Sequence, residues 1–149
     1  MKNPDRKGIT LRAVLSFGWP VLLIGALFLI RYGLDQQAPA GQRLYVQHCQ
    51  NCHLEQGQGL RGIIPPLAGA DYLRLHTDQL PCIIRQGQQG AIVVNGRTYN
   101  RPMPGNNTLT PAEITSLIQY IQGAWGNDLP KTSFQQVSQA LETCPLPNP

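Results

Sequence analysis

Residues 44–60 read LYVQHCQNCHLEQGQGL, and the reading of Cys49-Gln50-Asn51-Cys52-His53 at their centre decides the fold. Three chemistries use two cysteines three apart followed by a histidine. A zinc knuckle takes both thiolates and the imidazole but needs a fourth ligand, usually from a second cysteine pair or two histidines. Cys82 and Cys144 stand alone, and His48 and His76 form no matching pair. A thioredoxin-like thiol pair belongs in a strand–helix–strand setting. Here the preceding residues have one-face helical spacing at Leu44, Tyr45, His48 and Cys52, which predicts a helix over 41–53. Covalent c-type haem attachment uses all three residues. Two thiols one helical turn apart bond the haem's vinyl-derived carbons, and the next side chain meets the iron.

Working outward, the haem reading demands a second axial ligand. Met1 is the initiator, so a thioether could come only from Met103, in NRPMPGN. The prolines on either side hold that backbone extended, whereas a packing methionine belongs on an apolar helix face. His48, on the attachment helix, and His76, read as a surface residue before Asp78, are the other candidates.

The clearest local signal lies further on. In TPAEITSLIQYIQGAWGN, Thr110 is an N-cap, Pro111 takes the first helical position and Glu113 completes a capping box. Ile114, Leu117, Ile118, Ile121 and Trp125 then make one apolar stripe stopped by Gly126. Asp78 is placed to cap a helix carrying Leu80, Ile83 and Ile84, with Gly87 as its stop. Asn95-Gly96 marks a tight turn within AIVVNGRTY, predicting a small hairpin or extended loop. Residues 57–69 are broken by glycine and proline into loop, and a weaker helix is predicted over 133–142.

Toward the other end, residues 13–30 run for 18 positions without a charge, about 27 Å as a helix. This predicts a transmembrane anchor over 13–32, between a cytoplasmic segment 1–12 and a linker 33–40. Lys2, Arg6, Lys7 and Arg12 precede the run, which by the positive-inside bias leaves the rest of the chain outside the cytoplasmic membrane. A cleaved signal peptide cut near Ala38-Pro39-Ala40 competes, although the apolar run is long for one. Half of the 12 basic residues fall before position 44. From Leu44 onward six basic residues meet six acidic ones. The domain therefore has no cationic excess for phosphates, and nucleic-acid binding is not expected.

Taken together, residues 40–126 resemble a class I cytochrome c, in particular the small membrane-anchored bacterial kind that serves respiratory chains. In that family a methionine followed by proline is the distal ligand, matching Met103. A Pro-x-Leu-x-Gly segment follows the haem motif, matching Pro65, Leu67 and Gly69, and the proline carbonyl accepts the proximal histidine's hydrogen bond. The family's first and last helices cross through residues that correspond here to Gly41 and Tyr45, and to Leu117 and Tyr120. The resemblance implies an all-α fold: a class I cytochrome c domain of three to five helices over 41–126 around one covalently bound haem c. The anchor helix precedes it, and an extension over 127–149 packs on it. It implies Cys49 and Cys52 as thioether attachments, His53 and Met103 as iron ligands, Pro65 and Leu67 at the haem, and Tyr99 and Trp125 either at the haem or as plain core.

Cys82 and Cys144 lie outside this pattern. In an oxidising compartment they are expected to form a disulfide, with two separate buried thiols as the alternative. With both axial positions filled, the resemblance implies one-electron transfer rather than catalysis, with no small-molecule substrate. The implied partners are membrane complexes of a respiratory chain, a quinol-oxidising donor and an acceptor such as a terminal oxidase. A subunit of a nitric oxide reductase or dehydrogenase, or a haem enzyme or gas sensor with a labile Met103, are the other readings. The expected place is the bacterial inner membrane, with the haem domain in the periplasm.

Overall fold

The computed structural model describes residues 19–31 and 38–144. The chain divides into two units, Met1–Ala38 and Pro39–Pro149. In the first, residues 19–31 are helical and expose Trp19, Leu22, Phe28 and Leu29. The predicted segment 1–12, positions 13–18 and 32 of the predicted anchor, and most of its linker lie outside the described residues. Among the described residues no helix is long and apolar enough to cross a membrane.

The second unit is mostly helical. Its first helices are α1 (Ala40–His48) and α2 (Gln50–His53). The single helix expected over 41–53 is thus broken at Cys49, whose φ of -121° leaves the helical region. Next come α3 (Asp71–Leu75), a 3-10 turn (Thr77–Gln79) and α4 (Leu80–Gln86). Asp78 lies within that turn, and α4 begins without a side-chain cap, so the expected Asp78 cap is not formed.

Two short antiparallel sheets accompany the helices, the expected small hairpin among them. The hairpin β2 (Ile92–Val94) and β3 (Arg97–Tyr99) turns at Asn95-Gly96, where both residues have positive φ as a two-residue hairpin requires. The second sheet joins residues distant in sequence: β1 (Gly87–Gln88) pairs with β4 (Met103–Pro104).

The long helix α5 (Pro111–Gly123) starts where local chemistry sets it. Thr110 Oγ1 accepts from the Glu113 amide at 3.3 Å, and Glu113 Oε2 accepts from the Thr110 amide at 2.7 Å. Ile114, Leu117 and Ile118 on its inner face are wholly buried, each contributing about 1.5–3 kcal/mol relative to exposure. α5 stops at Gly123, short of Trp125, whose φ of 53° removes it from the helix. α6 (Phe134–Glu142) repeats the capping box with Ser133 and Gln136 and packs against α4 and α5.

The extension is held in two ways. Cys82 of α4 and Cys144 after α6 form a disulfide with 5.5 Å between their Cα atoms. The fully buried Gln122 donates to Thr132 Oγ1 at 2.7 Å and accepts from the Thr132 amide at 2.9 Å.

Candidate functional site

Helices α1 to α5 and both sheets border a cavity of about 380 Å³. α5 gives it Leu117, Ile118 and Ile121; α3 and α4 give Tyr72, Leu73, Leu80 and Ile84; the hairpin gives Ile92, Val94 and Tyr99. His48, Cys49, Cys52 and His53 border it at the α1–α2 break, and Met103 enters its wall from β4. Of the residues singled out from sequence, Cys49, Cys52, His53, Pro65, Leu67, Tyr99 and Met103 come together here.

Trp125 does not. It is absent from the cavity lining and belongs to an aromatic cluster, 4.8 Å from Tyr45 and 5.6 Å from Tyr120 between ring centroids. Its indole also covers Gly57, where a Cβ would stand 2.6 Å from the ring. Its side chain packs into this crossing of α1 and α5, which is the core reading of the two that the sequence left open. His76, expected at the surface, stacks on Tyr72 with 4.1 Å between centroids, and its Nδ1 is buried without a partner.

His53 is buried, and its Nδ1 lies 3.2 Å from the Pro65 carbonyl oxygen. A carbonyl only accepts, so Nδ1 carries the proton, and the neutral ring keeps its lone pair on Nε2. Burial lowers the imidazole's pKa, opposed by the Pro65 bond, and so favours that neutral form.

Several contacts hold the Pro65 carbonyl in place. The Leu67 and Ala68 amides donate to the Gly57 carbonyl at 2.6 and 2.9 Å. Asn127 spans the gap from beyond α5: its Oδ1 accepts from the Gly69 amide at 2.7 Å, and its Nδ2 donates to the carbonyls of Leu67 and Ile121. No sequence signal pointed to Asn127, because its partners lie up to 60 positions away.

Burial, reinforced by the neighbouring Cys52, pushes the Cys49 thiol up to about 11. Among the described residues no cluster of three or more His, Cys, Asp or Glu side chains is placed to hold a metal ion. An apolar cavity offering one imidazole lone pair and one thioether, with two thiols at its border, fits a covalently attached haem.

Comparison with known proteins points the same way. Residues 38–125 match the cytochrome c family. The chain is 36% identical over 104 residues to cytochrome c-552 of Thermus thermophilus, an alignment covering 67% of this chain and 70% of that protein. It is 30% identical over 114 residues to the cytochrome c subunit of a quinone alcohol dehydrogenase from Gluconobacter oxydans, covering 74% of this chain but 23% of the subunit.

Proposed function

Since the chain belongs to the cytochrome c family, whose members carry covalently bound haem c and transfer electrons, we propose that it is a membrane-tethered one-electron carrier. In this reading Cys49 and Cys52 hold the haem through thioethers, His53 Nε2 is the proximal iron ligand and Met103 the distal one. The bound haem supplies a one-electron couple between ferric and ferrous iron.

The chain's own residues do the rest. The Pro65 carbonyl fixes the His53 tautomer and raises the basicity of Nε2. The thioether of Met103 favours the ferrous state relative to stronger donors. The α5 stripe lines the cavity with apolar side chains, and with His53 and Met103 both holding the iron no position on it would remain for a substrate. The carrying observation is His53, tied through Nδ1 to Pro65 and sharing one apolar cavity with Met103.

Two measurements on the purified, matured protein test this. The pigment is expected to stay with the polypeptide in acidified organic solvent, and the reduced protein to resist carbon monoxide. Pigment lost to the solvent, or rapid carbon monoxide binding, overturns the reading.

Supporting the tether are the uncharged run 13–30, the basic residues before it and the exposed apolar side chains of 19–31. We place the haem domain in the periplasm of the bacterial inner membrane, facing quinol-oxidising and oxidase complexes. Alkaline carbonate is expected to leave the protein with the membranes; release contradicts the anchor. A tether raises local concentration without charge steering, and residues 44–149 balance six basic against six acidic side chains. Electron transfer to the membrane partner should therefore depend weakly on salt.

The match to a dehydrogenase subunit, longer on this chain than that to cytochrome c-552, favours a second reading as the haem subunit of a dehydrogenase. Purification in mild detergent separates the two: a stoichiometric dehydrogenase polypeptide supports the subunit, and an isolated cytochrome supports the free carrier.

A further inference from the structure

The residues that set where Met103 stands come from a different part of the chain. α4 ends at Gln86, and Gly87, with φ +87°, turns the backbone into β1. β1 then pairs with β4, placing Gln88 opposite Met103 and Gly87 opposite Pro104. A Cβ on Gly87 would collide with the carbonyl oxygen of Met103 itself and stand 2.7 Å from the Gly105 nitrogen. A Cβ on Gly105 would stand 2.6 Å from the Arg85 carbonyl oxygen and 2.8 Å from the Gln86 Cα. Those obstacles are backbone atoms, which cannot swing aside.

Two hydrogen bonds continue the seam. The Asn106 amide donates to the Ile84 carbonyl at 2.8 Å, and Arg85 Nη1 donates to the Asn107 carbonyl at 3.2 Å. The stretch 103–107 thus lies along the last turn of α4 at backbone contact, closer than any side chain permits. Ile84, Gln88 and Met103 border the same cavity, so this seam fixes how far Met103 reaches into it.

We propose that Gly87 and Gly105 are positioning residues for Met103: their missing side chains let β4 seat against α4 at the one depth from which the thioether meets the iron. The proposal rests on the reading of Met103 as the distal ligand. Ligand constellations must be held to within about 0.5 Å, and relieving a contact of 2.6–2.8 Å requires the strand to move by at least that much. Gly87 and Gly105 differ in a useful way, since only Gly87 also needs positive φ.

The test compares wild type, Gly105→Ala, Gly87→Ala and the control Gly96→Ala. Gly96 has φ +71° but nothing within 4 Å of an added Cβ, so it reports backbone strain without crowding the strand. The readouts are the weak long-wavelength absorption of thioether-ligated ferric haem, the carbon monoxide association rate of the reduced protein, and the melting temperature. Gly105→Ala and Gly87→Ala are expected to lose the band and bind carbon monoxide about 10–100-fold faster, with the haem still attached. Gly96→Ala is expected to melt lower yet keep the band and the slow rate. Retention of the band and the slow rate in both seam variants overturns the proposal. A wild type without the band overturns the Met103 reading beneath it. Should one seam variant not accumulate, the other carries the test alone, and retention of the band and the slow rate in it overturns the proposal.

Discussion

Gly41 of α1 lies so close to Tyr120 of α5 that a Cβ on the glycine would stand 2.7 Å from the tyrosine Cβ, with the Ser116 carbonyl nearer still. The two helices meet at backbone contact, and Tyr45, one turn along α1, closes the crossing with Tyr120 and Trp125. Gly41→Ala must therefore push helices apart rather than fill space. It is expected to cost about 1–3 kcal/mol, lowering the melting temperature by about 4–8 °C per kcal/mol. An unchanged melt would show that the crossing tolerates a methyl group.

This crossing was expected only from the resemblance to the family, because Gly41 and Tyr120 are distant in sequence; the elements that are written in local terms were legible directly. Thr110, Pro111 and Glu113 start α5 by bonds that span three residues, and Asn95-Gly96 announces its hairpin in two. The cavity lining was partly legible, since His53, Met103 and the Pro65 loop sit in short motifs. What escaped depends on distant partners. The β1–β4 pairing sets Gly87 against Pro104 and Gln88 against Met103, 17 and 15 positions apart, without alternating hydrophobicity, and Asn127 reaches Gly69 over 58 positions. Trp125 fitted the apolar stripe of α5, but the helix ends at Gly123, and the side chain went to Gly57 and Tyr45 instead.

Asn127 is the bond between the Pro65–Gly69 loop and α5, so its loss acts on stability and potential together. Asn127→Ala removes three hydrogen bonds, at about 1 kcal/mol each. The loosened loop weakens the Pro65 carbonyl's hold on His53. A less basic imidazole stabilises ferric iron less, so the midpoint potential should rise. A drop in stability with no change of potential would confine Asn127 to a structural role.

The disulfide between Cys82 and Cys144 closes a loop across 62 positions. Chain entropy assigns about 4 kcal/mol to a loop of that length, and measured losses on removing native disulfides are about 2–5 kcal/mol. The double variant Cys82→Ser/Cys144→Ser is expected to lose about 2–4 kcal/mol in denaturant melts, while Gln122 and Thr132 still hold the start of the extension. A variant as stable as wild type would mean that the bridge constrains little in the unfolded chain.

Glu113 gives stability a pH dependence whose sign follows from its bonds. Its Oε2 accepts from the Thr110 amide and from Thr110 Oγ1, both at 2.7 Å. These bonds to the charged carboxylate hold its pKa below the ordinary value, with a smaller contribution from His48. A lowered folded-state pKa contributes stability that is fully present above the unfolded carboxyl's pKa. That contribution is lost as pH falls through the folded value. Glu113→Gln keeps the capping box but cannot titrate. Wild type should therefore melt above the variant at neutral pH, with the gap closing as the solution is acidified below about pH 4. Thermal melts of both proteins across that range decide the matter, and a gap independent of pH would mean that the carboxylate's charge contributes nothing to the start of α5.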